Sequence, residues 1–157
     1  MIVKEIRDED FTSYKKPAMV IGFPSCTFKC ERECGQNICQ NNKLVTAPNI
    51  QMNLDDIVDR YMKNPITKAI IMAGLEPFDS WHHLSYLIIE LRLKTTDDII
   101  IYTGYKKEEI SYAVDWLTQF PNIIIKYGRF VPNQQPHYDE VLGIMLASDN
   151  QYAEVIS

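Results

Sequence analysis

The chain has 157 residues, of which 46% are apolar and 24% are charged, a composition typical of one globular domain. Its 16 basic and 21 acidic residues give a net charge of −5 without any basic block, which argues against a nucleic-acid partner. No apolar run approaches the ~18 residues of a membrane span, and the first residues lack the apolar core of a signal peptide. We therefore expect a single domain over residues 1–157, located in the cytoplasm, with no membrane partner.

Four short apolar runs predict buried strands, because strands that are covered on both faces read as continuous apolar segments. The first of these runs ends in Gly22-Phe23-Pro24, and each of the others also ends in residues typical of a turn. Another short apolar run spans residues 1–7. The predicted strands are residues 17–23, 68–73, 98–102 and 122–126.

Apolar residues at helical spacing predict three helices between these strands. The first begins after Asn53, a residue suited to the N-cap, with Asp55 and Asp56 in its first turn, and it ends before Pro65. The second carries the apolar residues Trp81, Leu84, Leu87, Ile88 and Leu91. The third carries the apolar residues Ile110, Val114 and Leu117.

The alternation of strands and helices predicts an α/β fold with a mostly parallel sheet and right-handed crossovers. Ligands in such folds bind at the carboxyl ends of the strands. We therefore expect a site at this edge. Arg129 is interpreted as a solvated or ion-paired surface residue, with contact to a cofactor or partner as the alternative. The predicted strand ends carry the loop at residues 26–41, Gly74–Pro77, Thr103–Tyr105 and Gly128–Phe130.

The loop at residues 26–41 contains all four cysteines of the chain, Cys26, Cys30, Cys34 and Cys39. In a reducing cytosol, clustered cysteines bind metal more often than they form disulfides. The cysteines alone leave three interpretations open: an iron-sulfur cluster, a four-thiolate zinc site and unbound thiols. The usual zinc pattern separates two ligand pairs by a longer stretch than this loop offers.

Several motifs occur together in a fixed order. Cys26 and Cys30 have the spacing Cys-x3-Cys, and Cys39 is followed by x-Asn41. The other motifs are Gly74-Leu75-Glu76-Pro77, Asp98-Ile-Ile-Ile-Tyr-Thr-Gly-Tyr105, Gly128-Arg-Phe130, and Gly143 with Ala147-Ser-Asp-Asn-Gln151. From about Gly22 onward, this series resembles radical S-adenosylmethionine proteins, and among them the activating protein of anaerobic ribonucleotide reductase.

The resemblance implies a compact, incomplete (β/α) barrel that holds a [4Fe-4S] cluster and S-adenosylmethionine. Three thiolates, from Cys26, Cys30 and Cys39, would leave one iron open for the cofactor, with Cys34 as the alternative third ligand. Leu75 stands where the family has a second glycine, and Glu76 would receive the amino group of the cofactor. Phe28 would cover the adenine or shield the cluster. The expected cofactor-binding residues are Phe28, Gly74, Leu75, Glu76, Thr103 and Gly104.

The implied reaction is reductive cleavage of S-adenosylmethionine to methionine and a 5′-deoxyadenosyl radical. The cluster and the cofactor carry this chemistry, so no further catalytic residue is expected. The implied partners are a glycyl-radical enzyme such as anaerobic ribonucleotide reductase and an electron donor such as flavodoxin or ferredoxin. Two alternatives stay open: a non-catalytic zinc or iron-sulfur module that docks a protein partner, and a radical enzyme with another peptide or small-molecule substrate.

Overall fold

The computed structural model describes all residues from 1 to 157. Its strands are β1 (Ile2–Val3), β2 (Glu5–Asp10), β3 (Ala18–Phe23), β4 (Ile50–Gln51), β5 (Ala69–Gly74), β6 (Asp98–Tyr102), β7 (Ile123–Tyr127), β8 (His137–Asp139), β9 (Ile144–Leu146) and β10 (Tyr152–Val155). Its α-helices are α1 (Lys29–Cys34), α2 (Asn42–Thr46), α3 (Leu54–Lys63), α4 (Trp81–Arg92) and α5 (Ser111–Leu117), and short 3-10 helices span Pro77–Ser80 and Lys107–Ile110.

One six-stranded sheet forms the centre of the fold, with the strand order β10-β7-β6-β5-β3-β2. The four inner strands β3, β5, β6 and β7 are parallel to one another, whereas the edge strands β2 and β10 pair antiparallel to their neighbours. The predicted α/β class with a mostly parallel sheet is confirmed. The sheet is open, because β2 and β10 are free edges, and the incomplete (β/α) barrel stays a prediction.

The four inner strands match the four apolar runs of the sequence. Every residue of β3 and of β7 is buried, and most residues of β5 and β6 are buried as well. Runs of isoleucine favour this state, because β-branched side chains pack well on a pleated surface that is covered on both faces. The segment at residues 1–7 instead divides into β1 and the start of β2, whose exposure alternates along the strand.

The three predicted helices are confirmed, and all of them pack on one face of the sheet. Side chains of α3, α4 and α5 form one apolar cluster with alternate strand residues such as Ile21, Ile70 and Ile101. Asn53 occupies the N-cap position of α3, although its side-chain amide donates to Asp56 at 3.3 Å instead of accepting a backbone N–H.

The apolar cluster on the opposite face of the sheet contains no helical residue. Its strand residues, such as Val20, Ile71 and Ile124, pack against Leu142 and Leu146 in and beside the β8-β9 hairpin. These contacts leave the carboxyl half of that face to line a cavity. Helices on a single face are the layout of a barrel wall, whereas a doubly wound sheet has helices on both faces. No helix of the structure is long and apolar enough to cross a membrane.

Candidate cluster and cofactor site

A cavity of about 330 Å³ opens at the carboxyl ends of the parallel strands. Its size lies in the range of small-molecule binding sites. Residues of the cysteine loop form one side, and the turns that follow β5, β6 and β7 form the other sides. The predicted site residues that line it are Cys26, Cys30, Cys39, Gly74, Leu75, Glu76, Thr103 and Gly104.

Three of the four cysteines line this cavity, and Cys34 does not. Burial raises the pKa of the Cys26 thiol to about 11 and also raises the pKa of Cys30. The Cys30 thiol interacts electrostatically with the thiols of both Cys26 and Cys39. No three His, Cys, Asp or Glu side chains are arranged to ligate one metal ion. An iron-sulfur cluster does not need that arrangement, because its thiolates bind separate irons.

The first part of the cysteine loop is shaped by backbone contacts. Phe28 has a left-handed backbone conformation with φ of 52°, and its N–H donates to the sulfur of Cys26 at 3.2 Å. The side chain of Phe28 is half-buried and is not among those that line the cavity. The Thr27 N–H donates to Oδ2 of Asp79 at 2.7 Å, which ties the loop to the turn after β5.

Gly74 ends β5 at a point where only glycine fits. Its φ is +97°, and a Cβ at this position would lie 2.6 Å from the backbone nitrogen of Phe23. The Gly74 carbonyl accepts a hydrogen bond from Nδ2 of Asn41 at 2.6 Å. Asn41 is the residue that follows Cys39 by two positions, so this contact fixes the end of the cysteine loop against the β5 turn.

Glu76 is the central buried charge of the site, with only 5% of the residue exposed. Its Oε1 accepts from the Thr103 hydroxyl at 2.8 Å and from the Phe78 N–H at 3.2 Å, and its Oε2 accepts from the Gly104 N–H at 2.9 Å. Burial raises the pKa of Glu76 to about 7, while these hydrogen bonds act in the opposite direction. The structure therefore joins the predicted Gly74–Glu76 and Thr103–Gly104 turns through one carboxylate.

Arg129 is buried rather than solvated, with 8% of the residue exposed. Its guanidinium forms a bidentate pair with Glu109 at 2.8 and 2.9 Å and lies 3.3 Å from Glu33 in α1. The guanidinium also lies over the Tyr105 ring, 5.6 Å from its centroid. The sequence interpretation was right about ion pairing and wrong about the surface position, because Tyr105, Glu109 and Glu33 enclose the side chain.

The C-terminal Asn-Gln motif supports the turn after β7. Asn150 donates through Nδ2 to the Arg129 carbonyl at 2.8 Å, and Gln151 donates through Nε2 to the Gly128 carbonyl at 3.2 Å. Both residues thus satisfy backbone groups of this turn. Gln151 also lines the cavity.

Sequence reasoning missed Lys126, which lines the cavity with 7% of the residue exposed. The sequence was interpreted only as the end of a strand at this position. A signal was available, because Ile124 and Lys126 are two residues apart and therefore point to the same face of β7. A lysine on the covered face of an apolar strand is a rare placement.

The model of a protein family described as a 4Fe-4S single cluster domain matches residues 18–152 of this chain. Comparisons with curated proteins and with solved structures found no match.

Gly74→Ala is predicted to lower the free energy of unfolding by more than about 2 kcal/mol, because the added Cβ meets backbone atoms that cannot move aside. Gly35→Ala is the matched control. Gly35 also has a positive φ, +70°, but no atom lies within 4 Å of its Cβ position, so only the conformational cost of about 1 kcal/mol is expected. Urea denaturation of both variants measures the difference, and equal losses would contradict the steric argument.

The raised pKa of Glu76 predicts a pH dependence of stability. Between its ordinary value of 4.5 and about 7, the folded state binds more protons at Glu76 than the unfolded state does. The stability contribution of Glu76 is therefore fully present below about pH 4.5 and is lost as the pH rises through 7. The free energy of unfolding of wild type minus that of Glu76→Gln should fall by ~1–3 kcal/mol over this range. Denaturation of the exposed-site control Glu140→Gln should give a curve parallel to wild type, and a parallel curve for Glu76→Gln would refute the assignment.

Proposed function

This chain belongs to the family described as a 4Fe-4S single cluster domain, and from that premise we propose that it is a radical S-adenosylmethionine activase. In this proposal the protein binds a [4Fe-4S] cluster and S-adenosylmethionine in the cavity at the strand ends. Reductive cleavage of the bound cofactor would supply a 5′-deoxyadenosyl radical that takes a hydrogen atom from a glycine of a partner enzyme, with anaerobic ribonucleotide reductase as the candidate partner. A cytoplasmic location and an electron donor such as flavodoxin or ferredoxin belong to the same proposal.

Three cysteines and two strand-end turns line the same cavity, and this observation is the main support for the proposal. Cys26, Cys30 and Cys39 supply thiols, which are the ligands that iron-sulfur clusters take, so the residues fit such a cluster. A cluster held by three thiolates keeps one iron free for an exogenous ligand. Cys34 lies outside the set, so the arrangement supports Cys39 as the third ligand.

The strand-end turns supply groups suited to the amino-acid part of the cofactor. Oε2 of Glu76 accepts a hydrogen bond from one protein donor, the Gly104 N–H. A carboxylate oxygen can accept more than one hydrogen bond, so Oε2 has room for a donor from a ligand. An ammonium group in the cavity would make a charge-assisted hydrogen bond with this oxygen, which is stronger than a neutral one. Gly74 and Gly104 let the backbone approach a ligand where a side chain would obstruct it.

When bound and reduced, the cluster would supply the electron that splits the cofactor into methionine and a 5′-deoxyadenosyl radical. The chain itself would orient the ligand and exclude water. Asn41 and Asp79 hold the cysteine loop against the strand-end turns, which closes one side of the cavity. A cavity of about 330 Å³ has room for a small molecule, so a protein substrate would have to present its reacting segment at the opening.

Anaerobic reconstitution with iron and sulfide, followed by dithionite reduction, tests the enzymatic proposal. The reduced protein should release 5′-deoxyadenosine and methionine from S-adenosylmethionine, as measured by liquid chromatography. A reducible cluster that never cleaves the cofactor would refute the radical function. Stoichiometric zinc in protein purified without oxygen would instead favour the non-catalytic binding module. Cleavage without a glycyl-radical partner in pull-downs would shift the proposal to another substrate.

The ligand set is tested by two matched cysteine substitutions. Cys39→Ala should abolish stable cluster formation, because only two thiolates would remain in the cavity. Cys34→Ala should keep about four irons per chain and its visible absorption, because this thiol lies outside the cavity. Iron analysis and electron paramagnetic resonance of both variants measure the outcome. The reverse pattern would show that Cys34 is the third ligand.

A further inference from the structure

Lys126 occupies a position of β7 at which an apolar residue would be expected. Ile123, Ile125 and Tyr127 belong to the apolar cluster on the helix face, and Ile124 belongs to the cluster on the opposite face. Because strand side chains alternate, Lys126 shares the face of Ile124. It lies at the carboxyl end of β7, where that face borders the cavity.

The ammonium group of Lys126 is poorly satisfied by the protein. Its Nζ donates one hydrogen bond, to the Gly128 carbonyl at 3.0 Å, whereas a lysine ammonium has three donors. Lys126 takes part in none of the ion pairs of the structure. Burial lowers its pKa to about 8. A buried, unpaired cation is costly, so buried charges are normally paired.

The other cations that line the cavity all have carboxylate partners. Arg129 binds Glu109 and Glu33, Lys29 binds Glu109, and Arg7 binds Asp10. Lys126 is therefore the one lining cation with no carboxylate partner, and it is also more than nine-tenths buried. A ligand with a negative group could supply the missing partner.

The cavity also presents a negative group that is separate from Lys126. Glu76 lines the same cavity and influences Lys126 electrostatically, but the two do not form an ion pair. Thr103, Gly104 and Phe78 hold the Glu76 carboxylate in place. One cavity thus offers a fixed anion and a fixed cation, which is complementary to the ammonium and carboxylate of an α-amino acid.

We propose that Lys126 binds the carboxylate of an α-amino-acid ligand in this cavity. The inference rests on the proposed function, in which that ligand is the methionyl part of S-adenosylmethionine. A carboxylate has two oxygens and about four acceptor sites, so contact with Lys126 leaves acceptors for other partners. Lys126 then determines specificity, because a ligand without the carboxylate would leave the ammonium buried and unpaired.

The test compares two ligands and two lysine variants of the anaerobically reconstituted protein by isothermal titration calorimetry. The ligands are S-adenosylmethionine and its decarboxylated analogue, which differ only in the carboxylate. Lys126→Met should weaken S-adenosylmethionine binding by about 10- to 100-fold and leave binding of the analogue nearly unchanged. Lys126→Arg should restore part of the discrimination. Lys94→Met, at an exposed lysine outside the cavity, should match wild type with both ligands.

The thermal stability of the ligand-free Lys126→Met variant distinguishes a ligand-binding role of Lys126 from a structural one. A structural lysine would lose thermal stability when replaced by methionine, whereas Lys126→Met should melt at the wild-type temperature or above, because it removes a buried charge. If Lys126→Met weakens the binding of both ligands equally, or of neither, the inference is overturned. The proposed function still stands in that case if the wild-type protein cleaves S-adenosylmethionine. Wild type that binds neither ligand would contradict both.

Discussion

The buried carboxylate of Glu76 is the constraint on which the site depends. A carboxylate with 5% exposure needs hydrogen-bond donors from the protein, and the donors come from Thr103, Gly104 and Phe78. Satisfying this one group fixes the turn after β5 against the turn after β6. The positions of the two turns therefore depend on this carboxylate as well as on apolar packing, to which Phe78 in the first turn contributes.

The cysteine loop depends in turn on this fixed edge. Neither α1, within the loop, nor α2, directly after it, contains a buried residue, so apolar burial cannot determine the position of the loop. Asn41 and Asp79 bind it through short polar contacts, and Arg129 adds an ion pair to Glu33. Two of these contacts join the loop to the end of β5 and the turn that follows it, and the third joins it to the turn after β7, which is why three cysteines that are separated in sequence line one cavity. A loop held in this way keeps its shape without a hydrophobic core of its own.

The inner sheet could be predicted from the sequence because runs such as Ile99–Ile101 and Ile123–Ile125 leave few alternatives to a strand buried on both faces. The edge strand β2 could not, because Glu5–Asp10 is mostly charged and pairs only on one side. The residues of the strand-end turns were identified from motifs, whereas the buried states of Arg129 and Lys126 were not. Charged residues are usually exposed, and only the tertiary arrangement of Tyr105, Glu109 and Glu33 shows that Arg129 is enclosed.

The placement of Glu76 and Lys126 also bears on why the cavity exists. Two opposite charges in one cavity would be stabilised by moving into contact, yet each is bound to backbone groups of a different turn, Gly104 for Glu76 and Gly128 for Lys126. A protein optimised for stability alone would pair these charges or replace them by apolar residues. Replacing a buried ion pair by apolar residues often leaves the free energy of unfolding unchanged or raises it by about 1–4 kcal/mol. Keeping them apart maintains an electric field across the cavity. Such a field favours a ligand whose ammonium group faces Glu76 and whose carboxylate faces Lys126, and an amino-acid head group carries both of these charges.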